Sequence, residues 1–249
     1  WMLNSAWPEL YWQLYDHYLI PNGAFYGARN ANRPVNMIFD YGDRSIVVVN
    51  DTGEDRSGFE ARVQVLDLRS NPLFEESQAV DLAAESRKTV LSLPPIKADD
   101  GVYFLDLRLL DPAGEVVTSS LYWLPTKEDQ LDWEATEWYY TPISEFADMT
   151  ALVSMPEATL EVEHSIASDE QGETVMVNLS NTGDQMAFFV ELQILGAGSG
   201  NWLTPVIWDD NYLSLLPGER RTIRGWVPRH ALGNDSAAFH YSGWNVAAK

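Results

Sequence analysis

From residue 34 the chain takes up a period of two. Val35, Met37, Phe39 and Tyr41 alternate with polar positions, and residues 46–49 form a β-branched run that ends at Asn50-Asp51-Thr52-Gly53. Alternation places every second side chain on one face of a sheet, so these runs read as half-buried strands. The same reasoning predicts strands over 59–68, 73–81, 88–93, 102–110 and 116–124. About seven short strands separated by regular turns suggest a β-sandwich over 34–125. One local motif narrows the type. Asp99-Asp100-Gly101-Val102-Tyr103 has the D-x-G-x-Y form of an immunoglobulin tyrosine corner, with Leu105 where such domains often carry cysteine. In that register Tyr103, Leu105, Leu107 and Leu109 point inward, and Asp106 and Arg108 point out.

A second strand series begins at Ala158 and echoes the first in order. Residues 48–53 (VVNDTG) match 178–183 (NLSNTG), 63–66 match 192–195, and the run from Leu82 to Val90 matches that from Leu216 to Ile223. Three ordered matches indicate two copies of one sandwich, the second over 156–249. Between the copies, residues 126–155 lose the strand rhythm. Glu128, Asp129, Asp132, Glu134 and Glu137 alternate there with Leu131, Trp133, Trp138, Tyr139 and Tyr140. A free linker would be rich in glycine, serine or proline and poor in rings. This acidic aromatic connector is therefore expected to pack its rings along a neighbouring domain, with an exposed platform for stacking sugars the alternative.

Ahead of residue 34 the period is helical. Pro8 suits a first helical turn, Glu9 complements the helix dipole, and Leu10, Leu14 and Tyr18 share one face, which predicts a helix over 8–19. Asn22 is a second start signal, for a short helix that must stop before Pro34. With an apolar strand at residues 1–3, the order is strand, loop, helix, as in any α/β unit. Residues 1–20 carry three Trp and three Tyr but have no second layer to bury them, so they are expected to be the tail of a larger domain.

Composition removes several classes of function. The 249 residues contain no cysteine, which excludes disulfides, thiol catalysis and thiolate metal sites. No apolar run approaches the roughly 18 residues of a membrane span, so no membrane partner is expected. The formal charge of -21 disfavours nucleic acid and anionic ligands, and would draw in a polycation. His17, His164, His230 and His240 lie too far apart for a metal-ligand motif, and no metal or cofactor is expected. Gly196-Ala197-Gly198-Ser199-Gly200 sits between β segments and reads as a strand connection rather than a phosphate loop. Asp209-Asp210-Asn211 reads as a polar turn, with calcium ligation the alternative. Trp202, Trp208, Trp226 and Trp244 are either inner-face residues or a sugar-stacking set, which their exposure would decide. A glycosidase needs two carboxylates about 5 Å apart or somewhat more, and nothing singles out such a pair.

The run Trp1-Met2-Leu3-Asn4-Ser5-Ala6-Trp7-Pro8, then Tyr11-Trp12-Gln13-Leu14-Tyr15-Asp16 and Pro21-Asn22-Gly23-Ala24-Phe25-Tyr26-Gly27-Ala28, resembles the last βα unit of the catalytic barrel in glycoside hydrolase family 2. Within that family it is most similar to bacterial exo-β-glucosaminidases. Trp138-Tyr139-Tyr140-Thr141-Pro142 followed by Phe146-Ala147-Asp148-Met149-Thr150-Ala151-Leu152 is similar to the segment joining their two C-terminal immunoglobulin-like domains.

The resemblance implies a mainly β chain: residues 1–33 a remnant of a (β/α)8 barrel, then two tandem immunoglobulin-like sandwiches. It implies a retaining exo-acting β-glycosidase whose catalytic carboxylates lie on barrel strands outside this chain, leaving the chain alone inactive. The remainder of that barrel and an amino-sugar oligosaccharide such as chitosan are then the expected partners. Asn4, Ser5 and Trp7 would sit at the mouth of the barrel and line the subsite for the non-reducing sugar. A secreted or periplasmic bacterial location is expected. Two other readings stay open: a carbohydrate-binding or purely structural accessory module, and β-mannosidase or β-galactosidase specificity.

Overall fold

The computed structural model describes residues 3–4, 6–8 and 13–247. These divide into two compact units, Ala31–Met155 and a second made of residues up to Asn30 together with residues from Pro156 onward. Trp1, Met2 and residues 9–12, on which most of the predicted first strand and a third of the helix predicted over 8–19 fall, lie outside the described residues.

The unit from Ala31 to Met155 holds β1 (Val35–Phe39), β2 (Ser45–Asn50), β3 (Arg56–Leu66), β4 (Pro72–Leu82), β5 (Ser86–Ser92), β6 (Val102–Leu110) and β7 (Val116–Pro125). The antiparallel sheet β1-β2-β5 and the sheet β4-β3-β6-β7 enclose one core, in which Met37, Ile46, Val48, Val63, Val65, Leu105, Leu107 and Leu109 are buried. Each inward set follows the period of two that the sequence shows. A small hairpin, β8 (Gln130–Leu131) and β9 (Ile143–Glu145), and a short 3-10 turn, Thr150–Ser154, complete the unit. The segment 126–155 thus belongs with the first sandwich.

Tyr103 lies in the core as the corner motif predicts, but its hydroxyl accepts a hydrogen bond from Arg44 at 3.3 Å. The same guanidinium donates to the carbonyls of Leu93 and Pro94. Asp106 departs from expectation. It is nearly buried rather than solvated, and it is tied to Arg108 two residues along the same face at 2.7 Å. β6 is central in its sheet, and Phe104 on the same face is buried as completely as Leu105 opposite. A charge covered in this way needs a partner, which Arg108 supplies.

The other unit contains α1 (Gly23–Ala31, whose last residue falls at the boundary), β10 (Leu160–Ser168), β11 (Gly172–Asn181), β12 (Ala187–Gly196), β13 (Ile207–Trp208), β14 (Leu213–Leu215), β15 (Arg220–Pro228), α2 (Arg229–Leu232) and β16 (Ala237–Ser242). Its sheets are β10-β11-β15-β13 and β14-β12-β16. The topology repeats that of the first sandwich: β1-β2-β5 recurs as β10-β11-β15, and β4-β3-β6 as β14-β12-β16. The copies differ at their edges, where β7 extends the first and β13 the second.

The repeat also has a chemical signature, one residue away from the register the sequence suggests. Asn50 ends β2 and Asn181 ends β11, both fully buried. Asn50 Nδ2 donates to the carbonyls of Glu54 and Ala83, both at 2.9 Å, while its Oδ1 accepts the Thr52 amide. Asn181 Nδ2 donates to Gln185 and Leu215 at 2.8 and 2.9 Å, and its Oδ1 accepts the Gly183 amide. Asn50 is therefore equivalent to Asn181, whereas alignment on the shared Thr-Gly pairs it with Ser180. From the asparagine to the next strand the two copies have equal length, with the accepting carbonyl four residues on in each, so the turn glycine alone is displaced and the buried amide is the fixed point.

Residues 13–20 do not form the predicted helix. The Asp16 carboxylate accepts the amides of Tyr18 at 2.8 Å and Ile20 at 2.9 Å, closing a turn, and Leu19 takes a left-handed φ of 64°. A local side chain to backbone turn of this kind competes directly with helix. Tyr15 instead bridges Asn4 in parallel and Pro21 in antiparallel fashion. The second start signal does operate: Asn22 Oδ1 accepts the Phe25 amide at 3.2 Å and caps α1.

Candidate functional site

The feature that sets this chain apart from a plain pair of sandwiches is the seat of α1. Tyr26 belongs to the core of the second sandwich, with Phe25 packed against the same cluster. Gly23 faces the Phe189 ring so closely that an added Cβ would come within 2.8 Å of its edge. Phe189 and Tyr212 both adopt φ of 53°, and their rings meet at 5.2 Å. Two non-glycine residues in the left-handed region at one contact mark backbone held there by its surroundings. β12 has a register shift between Ala187 and Val190 at this point.

Polar groups lock the helix down. Arg29 donates to the carbonyls of Trp208 and Asp209 and to Asp210 Oδ1, and its guanidinium lies 5.0 Å from the centre of the Tyr26 ring. Asn30 also reaches Asp210. Asn211 is buried and pairs with Leu192 as a strand would, accepting from its amide at 2.7 Å and donating to its carbonyl at 2.9 Å. The run 209–211 is accordingly a clamp on the helix. Among the described residues no group of three acidic or histidine side chains is placed to hold a metal ion.

Beside the helix lies a cleft of about 650 Å³, walled by Asp16, Tyr18, Asn22, Glu191, Trp202 and Tyr212 among others. The Tyr212 hydroxyl donates to Glu191 at 3.0 Å. Burial, reinforced by the Glu191 carboxylate, pushes the Tyr212 phenol well above the usual range, and burial pushes Tyr26 up to about 12. Both phenols are therefore neutral, and that of Tyr212 is a donor. Asp16 Oδ1 serves the turn described above, Glu191 Oε1 serves Tyr212, and Trp202 presents a 41% exposed indole. What the cleft offers is hydrogen bonding and ring stacking, the means by which proteins hold sugars.

The residues singled out by sequence fall in different places. Asn4 and Trp7 are exposed; Asn4 bridges Tyr15, next to the turn that leads into the cleft, with Leu3 accepting the Tyr15 amide at 3.0 Å, and Ser5 lies outside the described residues. Trp208 is buried against Gly225, Trp226 is half-buried, and Trp202 and Trp244 are exposed, with the Trp244 ring set edge-on to Phe188. The four do not share one environment. In the glycine-rich loop, Gly198 and Ser199 donate their amides to the Asp235 carboxylate at 2.9 and 3.0 Å. An internal carboxylate thus fills the anion-binding position that such amides create. Glu191, Tyr212 and Asp16 were not legible as a group, because no motif links positions so distant in the chain.

Residues 138–246 match the family model of the exo-β-D-glucosaminidase Ig-fold domain, and residues 42–127 match that of the mannosidase Ig/CBM-like domain. Similar curated proteins include exo-β-D-glucosaminidases from Arthroderma benhamiae (33% identical over 100% of this chain), Amycolatopsis orientalis (34%, 100%) and Streptomyces avermitilis (36%, 99%). The chain spans 27%, 24% and 28% of these proteins, respectively. A solved exo-chitosanase from Amycolatopsis orientalis superposes with a TM-score of 0.92 at 33% identity, covering 100% of this chain and 30% of that one. A β-D-mannosidase from Dictyoglomus thermophilum gives 0.62 at 17% identity, covering 99% of this chain and 26% of that one, a likeness of fold.

Proposed function

Since the chain belongs to the C-terminal region of the exo-β-D-glucosaminidases of glycoside hydrolase family 2, we propose that it is the non-catalytic end of a retaining exo-acting enzyme that releases glucosamine from chitosan oligosaccharides. In this reading residues 1–33 are the last strand, loop and helix of the catalytic barrel, the acid/base and nucleophile carboxylates lie outside these residues, and Asn4, Ser5 and Trp7 line the subsite for the non-reducing sugar. The observation that supports it is the seating of α1. Tyr26 packs in the sandwich core and Arg29 is clamped by the 208–210 backbone and Asp210. A sandwich that holds a helix so firmly acts as a mount for whatever that helix carries. The acidic surface suits an amino-sugar polymer, which is partly protonated near neutral pH.

The test uses the full-length enzyme and its Trp7→Ala variant, with the 249-residue chain as control. Loss of one stacking ring should lower kcat/KM on glucosamine oligosaccharides by about 10- to 100-fold, roughly 1–3 kcal/mol of transition-state binding. The chain alone should release no glucosamine. Unchanged kinetics for the variant would remove Trp7 from the subsite, and sustained release by the chain alone would overturn the placement of catalysis outside it. The mannosidase-type match over residues 42–127 favours one rival specificity. Faster turnover of a β-mannoside than of a β-glucosaminide by the full-length enzyme would decide for it.

A further inference from the structure

The hairpin formed by β8 and β9 carries the densest set of uncovered rings among the described residues. Trp138 is 92% exposed, Tyr139 and Phe146 are each 72% and Trp133 is 71%, with Tyr140 and Leu131 also exposed. These side chains fall within residues 131–146. Single exposed apolar residues are ordinary, but a concentration like this marks an interaction surface.

The hairpin is ordered without using its rings. The Asp132 amide donates to the Pro142 carbonyl at 2.8 Å, and Glu137 and Tyr140 exchange backbone bonds at 2.8 and 3.3 Å. Asp129 accepts the Ala147 amide at 2.7 Å, Asp132 accepts that of Ala135, the hydroxyls of Thr136 and Thr141 meet at 3.2 Å, and Lys127 pairs with Glu145. An isolated hairpin of this size is marginal in water, and the backbone and polar bonds of this one leave Trp138 facing outward.

We propose that this face, centred on Trp138, Tyr139 and Trp133, docks against the part of the parent polypeptide that lies outside these 249 residues. The first support is length: the chain covers 24–28% of the relatives named above, so most of their polypeptide is available as the occupant. The second is position. The mannosidase-type match stops at residue 127 and the exo-glucosaminidase match starts at residue 138, so Trp133 lies between the two matched segments and Trp138 and Tyr139 open the second. The third is ring geometry. Trp138 and Tyr139 sit edge to face, with centroids 4.7 Å apart and planes at 68°. A sugar face calls for a flat platform, whereas two rings at a steep angle fit a pocket in a protein surface, where Trp and Tyr are the usual anchors. The fourth is charge. Asp129, Asp132 and Glu145 are engaged within the hairpin, which leaves Glu128, Glu134 and Glu137 as a rim for basic groups of the partner surface.

The inference rests on the reading that the chain is part of a longer enzyme, and the experiment separates the two. Hydroxyl-radical footprinting of the full-length protein, with glucosamine release measured on the same sample, reads the ring surfaces directly. Trp133, Trp138 and Tyr139 should label about tenfold more slowly than in the urea-unfolded enzyme. That protection should persist at every protein concentration and without sugar. Labelling at the unfolded rate would overturn the proposal. Protection only on adding glucosamine oligosaccharide would overturn it in favour of a sugar platform, and protection only at high protein concentration would overturn it in favour of a second copy. Protected rings in a sample that releases no glucosamine would leave docking in place and overturn the enzymatic reading instead. A Trp138→Ser/Tyr139→Ser double variant of the full-length enzyme should lower the thermal midpoint and raise labelling at Trp133. An unchanged midpoint with unchanged labelling counts against docking.

Discussion

Asn50 and Asn181 do the same work in two places. Each closes a strand end by donating twice, from a fully buried side-chain amide, to backbone carbonyls of the following turn and of a neighbouring segment. Replacing either by alanine takes the partner from two backbone carbonyls and one backbone amide at a strand end. Each unpaired group costs on the order of 1–3 kcal/mol, so a loss of about 2–4 kcal/mol is expected for Asn50→Ala or Asn181→Ala, with some relaxation. Urea unfolding of the variants checks this, and a loss below about 1 kcal/mol, the worth of an ordinary hydrogen bond, would mean the carbonyls find other donors.

Among elements, the loop after β12 depends on a carboxylate. Asp235 accepts the amides of Gly198, Ser199 and Ser236, and the Gly198 amide, the Ser199 hydroxyl and the Ser236 amide, in that order, lower its carboxyl to about 2 from an ordinary 3.8. A depressed acid stabilises its loop above the ordinary value and loses that contribution as pH falls through the depressed one. Amide exchange at Gly198 and Ser199, corrected for intrinsic rates, should stay slow at pH 4 and accelerate as pH approaches 2. Constant protection through that window would show that the carboxylate does not hold the loop. Gly196 has to be glycine here, since a Cβ would fall 2.2 Å from Asp235 Oδ2.

The elements also show where sequence reasoning reached. The seven strands from residue 35 to 125 were legible because one buried face imposes a period of two on Val63, Val65, Leu105 and Leu107 alike. The Asn22 cap was legible because capping is local. The helix over 8–19 was misread in its described part, because Asp16 satisfies its neighbours' amides in a turn, a choice that helical spacing does not reveal. The cleft could not be read at all. It joins Asp16 to Glu191 and Tyr212 through a fold that only the finished sandwich creates.

At the scale of the molecule, the two units have separate cores, one around Leu105 and Leu107 and the other around Leu179 and Leu192. Calorimetry of the chain should therefore resolve two transitions. Leu105→Ala should lower one of them, and Leu192→Ala the other, each by an amount equivalent to about 2–5 kcal/mol. If either variant shifts both transitions equally, the units unfold as one. Acidic residues exceed basic ones by 21, so residual repulsion should make the lower transition rise with added salt.

The seat of α1 has a consequence for how the chain is made. Arg29 meets the backbone of Trp208, which is translated 179 residues later. The helix leaves the ribosome before its socket exists, and the whole of the first sandwich is synthesised in the interval. That sandwich needs nothing from either side of it to close its core, so it can fold while Phe25 and Tyr26 wait uncovered. A truncation after residue 155 would leave them uncovered permanently, whereas one that begins at residue 31 would not. Any dissection of this protein into parts should separate the helix from the sandwich that follows it in sequence and keep it with the one that arrives last.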